Sequence, residues 1–162
     1  MMDVRNFGAN NYAPETTGYP VVADGEQTRV TQANISYAKD GFVALVGRKG
    51  VNLDNERFIG TVGWRQMPQT YDLALMGYNG IENLDLQAAY VWQVNRIFDR
   101  DLGGLNLPDF NTNSVLLHAS YKISPALNLT AYDYMTASFA DQVGIRATGN
   151  TTLDNEVKLD YT

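Results

Sequence analysis

The sequence predicts an all-β fold, an up-and-down antiparallel β-barrel wall of about eight strands. Three observations lead there. Apolar residues recur at every second position in stretch after stretch, while helical spacing is hard to find. Short, turn-like links and long polar links follow one another in strict alternation along the chain. With 44% hydrophobic and only 19% charged residues, the composition excludes a charge-rich disordered tail.

The 162 residues suit one domain or one piece of a larger one. Residues 1–27 read as the end of a preceding strand and a long loop, and residues 28–162 as the strands of a single barrel segment. The first strand, Gln32–Lys39, sets Ala33, Ile35 and Tyr37 against Gln32, Asn34 and Ser36. Weaker alternation marks Phe42–Arg48 and Thr70–Tyr78. The cleanest strand is Leu84–Asn95, whose even positions read Leu, Leu, Ala, Tyr, Trp, Val and whose odd positions are mostly polar. Thr112–Lys122 repeats the pattern, with Val115, Leu117, Ala119 and Tyr121 opposed to Ser114, His118 and Ser120. Leu127–Tyr134, Gln142–Thr148 and Glu156–Tyr161 complete the set.

Lys39-Asp40-Gly41, Asn79-Gly80, Ser124-Pro125 and Gly149-Asn150 carry turn chemistry and are the short links. Asn6–Gln27, Lys49–Trp64, Ile97–Asn111 and the shorter Ala137–Asp141 are the long ones. The first hairpin has two registers. A two-residue turn at Asp40-Gly41 places Arg48 on the face of Ile35 and Tyr37; a three-residue loop turns Arg48 to the polar face. If the apolar face meets lipid, an outward Arg costs a few kcal/mol, which favours the three-residue loop. Asp133 points outward with Leu127 and Leu129 unless a bulge intervenes, and Pro68 breaks the pattern leading into Tyr71.

Alternation does not say which face is inside. A soluble barrel or β-sandwich binding a small ligand buries its apolar face, and a membrane barrel exposes it. Charges gather in the links (Lys49, Asp54, Glu56, Arg57, Asp99, Arg100, Asp101), and aromatic residues fall near strand ends (Tyr37, Tyr78, Trp92, Tyr121, Tyr134, Tyr161). That is the placement of an interfacial girdle. No apolar run approaches the ~18 residues of a membrane helix. The N-terminus carries no signal peptide, so a membrane barrel is expected here as an internal piece.

Other classes are disfavoured on composition. A net charge of −6 argues against nucleic acid held by phosphate contacts. Cysteine is absent and His118 is the only histidine, which excludes thiol chemistry and leaves no multi-histidine metal site. No phosphate loop, zinc-binding His pair or nucleophile elbow occurs, so neither an enzyme nor a cofactor is expected. Asp99–Gly104 has an acidic, glycine-rich look but fails the spacing of a calcium loop.

The segment Gly47-Arg48-Lys49-Gly50-Val51-Asn52-Leu53-Asp54-Asn55-Glu56-Arg57-Phe58-Ile59-Gly60, followed by Thr61-Val62-Gly63-Trp64-Arg65-Gln66, resembles the signature of the alginate-export family of outer-membrane porins. Asp3-Val4-Arg5, Tyr19–Asp24, Gln69–Asp72 and Val94–Phe98 extend the resemblance. It implies a barrel on the order of 18 strands, of which this chain makes about eight. It also implies a Gram-negative outer-membrane location, contact with lipid or lipopolysaccharide, and a basic lumen passing anionic solutes or a polysaccharide such as alginate. The chain is shorter than such a barrel and does not end in the family's terminal aromatic residue.

The candidate site is the basic cluster Arg48, Lys49, Arg57 and Arg65, with Asp54, Glu56 and Asp72 as charge partners. Guanidinium groups on a pore wall attract carboxylates, and neighbouring acids orient them through paired hydrogen bonds. A salt-bridged loop with no ligand role is the alternative. His118 reads as a hydrogen-bonded residue of the polar face, and Asp72, Asp85 and Asp133 form no glycosidase-like pair.

Overall fold

The computed structural model describes residues 1–4, 27–98, 101–102, 105–106, 109–137, 141–152 and 158–161. Most of the expected Asn6–Gln27 loop, the stretch Tyr19–Asp24, and Asp99, Arg100, Gly103 and Gly104 lie outside these residues. Among the described residues the chain is all-β with antiparallel sheets and no helix. No helix is long and apolar enough to cross a membrane, which says nothing of strands.

β1 (Met2–Val4) pairs with β2 (Gln27–Arg29), and the short β7 (Asp101–Leu102) pairs with β8 (Leu105–Asn106). The main sheet contains β3 (Ala33–Lys39), β4 (Phe42–Lys49), β5 (Thr70–Tyr78), β6 (Leu84–Asn95), β9 (Phe110–Ser124), β10 (Leu127–Met135), β11 (Gln142–Thr152) and β12 (Lys158–Tyr161). Its strand order is β12-β11-β10-β9-β6-β5-β4-β3, so β12 and β3 are edges and the sheet is not closed. The eight stretches of sequence alternation coincide with these strands and differ from them only at the ends.

Two links differ from expectation. The first hairpin turns on two residues, not three: β3 ends at Lys39, β4 begins at Phe42, and Asp40 and Gly41 both have positive φ, 49° and 80°. This is a type I′ Asp-Gly turn, whose twist matches that of the strands, and it sets Lys39 opposite Phe42. Local turn chemistry therefore prevails over the cost assigned to Arg48. Gly47, at φ 126°, relieves the consequence. A left-handed residue breaks the pleat just before Arg48, and a Cβ there would collide with the Ala33 carbonyl. At the other end, Gly149-Asn150 is not a turn; β11 runs on to Thr152, with Gly149 opposite Tyr161 and Asn150 opposite Asp160. The Tyr161 ring covers the Gly149 backbone, so glycine here accepts a cross-strand aromatic and does not end the strand.

The chain divides into two compact units. The first comprises Met1–Asn34, Gly47–Leu73 and Trp92–Asn111; the second comprises Ile35–Val46, Ala74–Val91 and Thr112–Thr162. In the first unit, Leu53, Ile59, Met67, Tyr71, Leu73, Val94 and Ile97 are buried. They pack the 50–69 link into a structured loop.

In the second unit, registers across β9, β10 and β11 define both faces residue by residue. One face carries the rows Lys122–Asn128–Thr148, Ser120–Thr130–Arg146, His118–Tyr132–Gly144 and Leu116–Tyr134–Gln142. The other carries Tyr121–Leu129–Ala147, Ala119–Ala131–Ile145 and Leu117–Asp133–Val143. The polar face is the covered one: Thr130 and Tyr134 are 1% exposed, while Val143 and Ile145 on the apolar face are 79% and 76% exposed. The register shift in β10 lies at Leu127/Asn128, before the regular run that carries Leu129, Ala131 and Asp133. No bulge turns Asp133 away, and it sits on the apolar face opposite Leu117 and Val143.

The exposed apolar face extends over the unit's remaining strands through Ile35, Tyr37, Val46, Met76, Tyr78, Leu86 and Tyr90. The Tyr90 hydroxyl donates to Asn113 Oδ1 at 2.8 Å, fastening β6 to β9 on that side. A shallow depression of about 720 Å³ crosses it, lined by Met76, Leu86, Leu117, Ala131, Val143 and Ile145 among others.

Candidate functional site

The expected basic cluster lies in the first unit, at the end of β4 and in the loop that follows. Arg48 is the best-held member. Its Nε and Nη2 donate to Asp72 Oδ1 and Oδ2 at 2.6 and 2.8 Å, and its Nη1 donates to the Val30 carbonyl at 3.1 Å. Asn95 Nδ2 donates to Asp72 Oδ1 at 3.0 Å and, more weakly, to the Thr70 carbonyl at 3.4 Å. The Arg48 and Asp72 side chains retain 26% and 13% exposure. A forked guanidinium–carboxylate pair of this kind fixes geometry better than a single contact. Asp72 also compensates the Arg48 charge, leaving little net positive charge there for a passing anion.

The other members are placed differently. Lys49 is exposed at the end of β4. Arg57 is exposed and rests 5.9 Å from the Phe58 ring centroid. Arg65 is half-buried and stacks at 4.1 Å over Trp64, itself 76% exposed. Among the described residues neither Lys49 nor Arg57 forms an ion pair, so these two display the cluster's uncompensated charge.

The acids between them serve the loop. Glu56, at φ 60°, accepts a 2.9 Å hydrogen bond from Asn52 Nδ2, and Asp54 also has positive φ, 56°. Asn52 Oδ1 in turn accepts from the Thr61 amide at 2.8 Å. Leu53 and Ile59 share a backbone bond of 3.0 Å, and Gln69 N donates to the Thr61 carbonyl at 2.8 Å. Buried Tyr71 closes the loop: its hydroxyl donates to the Gly60 carbonyl at 2.9 Å, accepts from Gly60 N at 3.2 Å and from Gln69 Nε2 at 2.7 Å. Of the three expected charge partners, Asp72 meets Arg48 directly, while the side-chain bond seen for Glu56 goes to an amide.

Sequence reasoning missed a second anchor in the same unit. Arg29 donates to Asp109 Oδ1 at 3.0 Å and to the carbonyls of Arg96 and Phe98 at 2.8 and 2.7 Å. Asp109 Oδ1 also accepts the Arg96 amide at 3.0 Å. Arg29 and Asp109 stand 80 residues apart in sequence, so no local spacing marks them.

No group of three or more His, Cys, Asp or Glu side chains that could hold a metal occurs among the described residues. No family model, no curated protein and no solved structure matches this chain.

Proposed function

We propose that this chain is part of the wall of an outer-membrane β-barrel porin of the alginate-export type. It would lie in the outer membrane of a Gram-negative bacterium and border a passive, water-filled path for anionic solutes, anionic polysaccharide among them. In this reading lipid or lipopolysaccharide covers the apolar face, the channel is not an enzyme, and it needs no cofactor or nucleic acid.

The observation that carries the reading is the inverted amphipathicity of the sheet. Ile35, Val143 and Ile145 are 83%, 79% and 76% exposed, whereas Thr130 on the opposite face is 1% exposed. Soluble proteins rarely leave an apolar patch of this breadth in water, and lipid-facing strands require it. Lys49 and Arg57 supply the positive field that would favour anions, and the Arg48–Asp72 pair holds the end of β4, where Lys49 projects and the loop bearing Arg57 begins.

The test is lipid access along one strand. Labels placed singly from Leu84 to Val94, with the chain in bilayers, should report lipid at Leu84, Leu86, Ala88, Tyr90 and Trp92 and water or protein at the alternate positions. Even positions shielded from both lipid and water, in a chain soluble without detergent, would replace the porin by the rival reading, a soluble ligand-binding barrel or sandwich.

A further inference from the structure

Asp133 is the residue of the apolar face that lipid contact alone does not explain. It is half-buried on β10, between Leu117 and Val143 on the neighbouring strands. Among the described residues its carboxylate meets no cation and no hydrogen-bond donor. The cations of the same three strands, Lys122 and Arg146, belong to the opposite face. A carboxylate set among apolar groups draws a cation more strongly than one surrounded by water.

Asp133 lines the depression of the apolar face, all of whose lining residues belong to the second unit. The depression crosses six adjacent strands, β4, β5, β6, β9, β10 and β11, so at about 4.8 Å per strand it forms a groove about 24 Å long. The short side chains of Ala88, Ala119 and Ala131 lower its floor beside Leu86 and Ile145. Asp133 stands two residues before the end of β10 at Met135. On a strand tilted about 45° that is about 5 Å inside the strand end, the depth of lipid headgroups, where a carboxylate costs little. The row Ala119–Ala131–Ile145 lies one step deeper, at the depth of acyl chains.

We propose that this groove holds a lipid of the surrounding membrane whose headgroup ends in a primary ammonium, with the ammonium on Asp133 and an acyl chain along the alanine floor. The proposal rests on the porin reading for its membrane and goes beyond it in naming a headgroup. An ammonium meets a single carboxylate with charge and N–H donors together, whereas a quaternary headgroup has no N–H to donate. A divalent ion needs several oxygens, and no group of three acids gathers among the described residues. A second copy related by a two-fold axis along the membrane normal presents the same residues at the same depth, and on β9–β11 those include no apolar-face cation to meet Asp133.

The chain has no cysteine, so Val143→Cys and Ile35→Cys each accept a single fluorophore. Val143 lies opposite Asp133 in the groove, and Ile35, 83% exposed, lies on the same face outside it. The full chain is placed in phosphatidylcholine bilayers doped with tail-brominated phosphatidylethanolamine or, separately, tail-brominated phosphatidylcholine. The phosphatidylethanolamine should quench the Val143 label about threefold more strongly, the advantage of an exposed ion pair, and show no preference at Ile35. Asp133→Asn should remove the preference, and Ala131→Phe, which fills the floor, should lower quenching at Val143 by both lipids. Asp160→Asn, on the opposite face, should leave the preference intact. An equal headgroup response at the two positions, or a preference that survives Asp133→Asn, overturns the proposal. Quenching at Ile35 without quenching at Val143 also overturns it, since a second copy or another protein then covers the groove. Those outcomes leave the porin reading standing. Quenching at neither position, in a chain soluble without detergent, rejects the porin reading and the lipid site together.

Discussion

Ala147→Lys is a substitution whose cost differs sharply between a lipid-facing and a water-facing sheet. Ala147 is exposed on the apolar face, opposite Leu129 and next to Ile145 on its own strand. It is the sixth of the eleven residues of β11, five from either end. Five residues at about 3.3 Å, on a strand tilted about 45°, give a depth of about 12 Å, the middle of an apolar band about 25 Å tall. A lysine at that depth costs about 2–4 kcal/mol, or about 30- to 900-fold in the folding equilibrium. Thr148→Lys, one residue further and on the polar face beside Asn128, should cost within about 0.5 kcal/mol. In water both substitutions would be ordinary surface changes of that smaller size. Reversible denaturant titration in short-chain lipid bilayers measures both. A loss below about 1 kcal/mol for Ala147→Lys, or equal losses for the two variants, would refute the assignment of this face to lipid.

Three further outcomes follow from the contacts. Asp72→Asn strips Arg48 of its forked partner and should destabilise the fold by about 1.5–3 kcal/mol, with the double variant Asp72→Asn, Arg48→Gln recovering part of that in the same titration. Tyr71→Phe leaves the Gly60 carbonyl and amide without their buried partner, at about 1–3 kcal/mol; trypsin should then cut the 50–69 loop at Arg57 or Arg65 faster than in the parent. Gly41→Ala forces a side chain into φ 80° with its Cβ 2.5 Å from the Gly80 backbone nitrogen, so the loss should exceed the usual ~1 kcal/mol of a left-handed alanine. A midpoint unchanged by Gly41→Ala would contradict the two-residue turn.

The strands were legible because alternation is a property of single residues and their immediate neighbours. Leu84–Asn95 needs no distant partner to announce its two faces. The same locality explains what was not legible. Arg29 and Asp109 are joined only by the fold, and the Gly60–Tyr71–Gln69 bonds form inside a loop whose sequence has no period at all. Gly149-Asn150 has the chemistry of a turn, yet it lies within β11 because Tyr161 covers the glycine from the neighbouring strand. In the candidate site, the presence of basic residues after β4 could be read directly. Which of them has its charge compensated could not, because the partner of Arg48, Asp72, arrives from β5.

The first hairpin shows how two valid penalties are reconciled. An arginine on a lipid-facing strand costs a few kcal/mol, and splaying a hairpin away from its preferred I′ turn also costs stability. Treating these as alternatives leads to the three-residue loop. If this face meets lipid, the chain satisfies both, because Gly47 breaks the pleat between Val46, which is 57% exposed, and Arg48, whose guanidinium is held by Asp72 and Val30. The glycine is therefore the residue on which the hairpin register and the Arg48 site jointly depend. Gly47→Ala would bring a Cβ against the Ala33 carbonyl and should disturb both together, loosening the Arg48–Asp72 pair although it touches neither side chain.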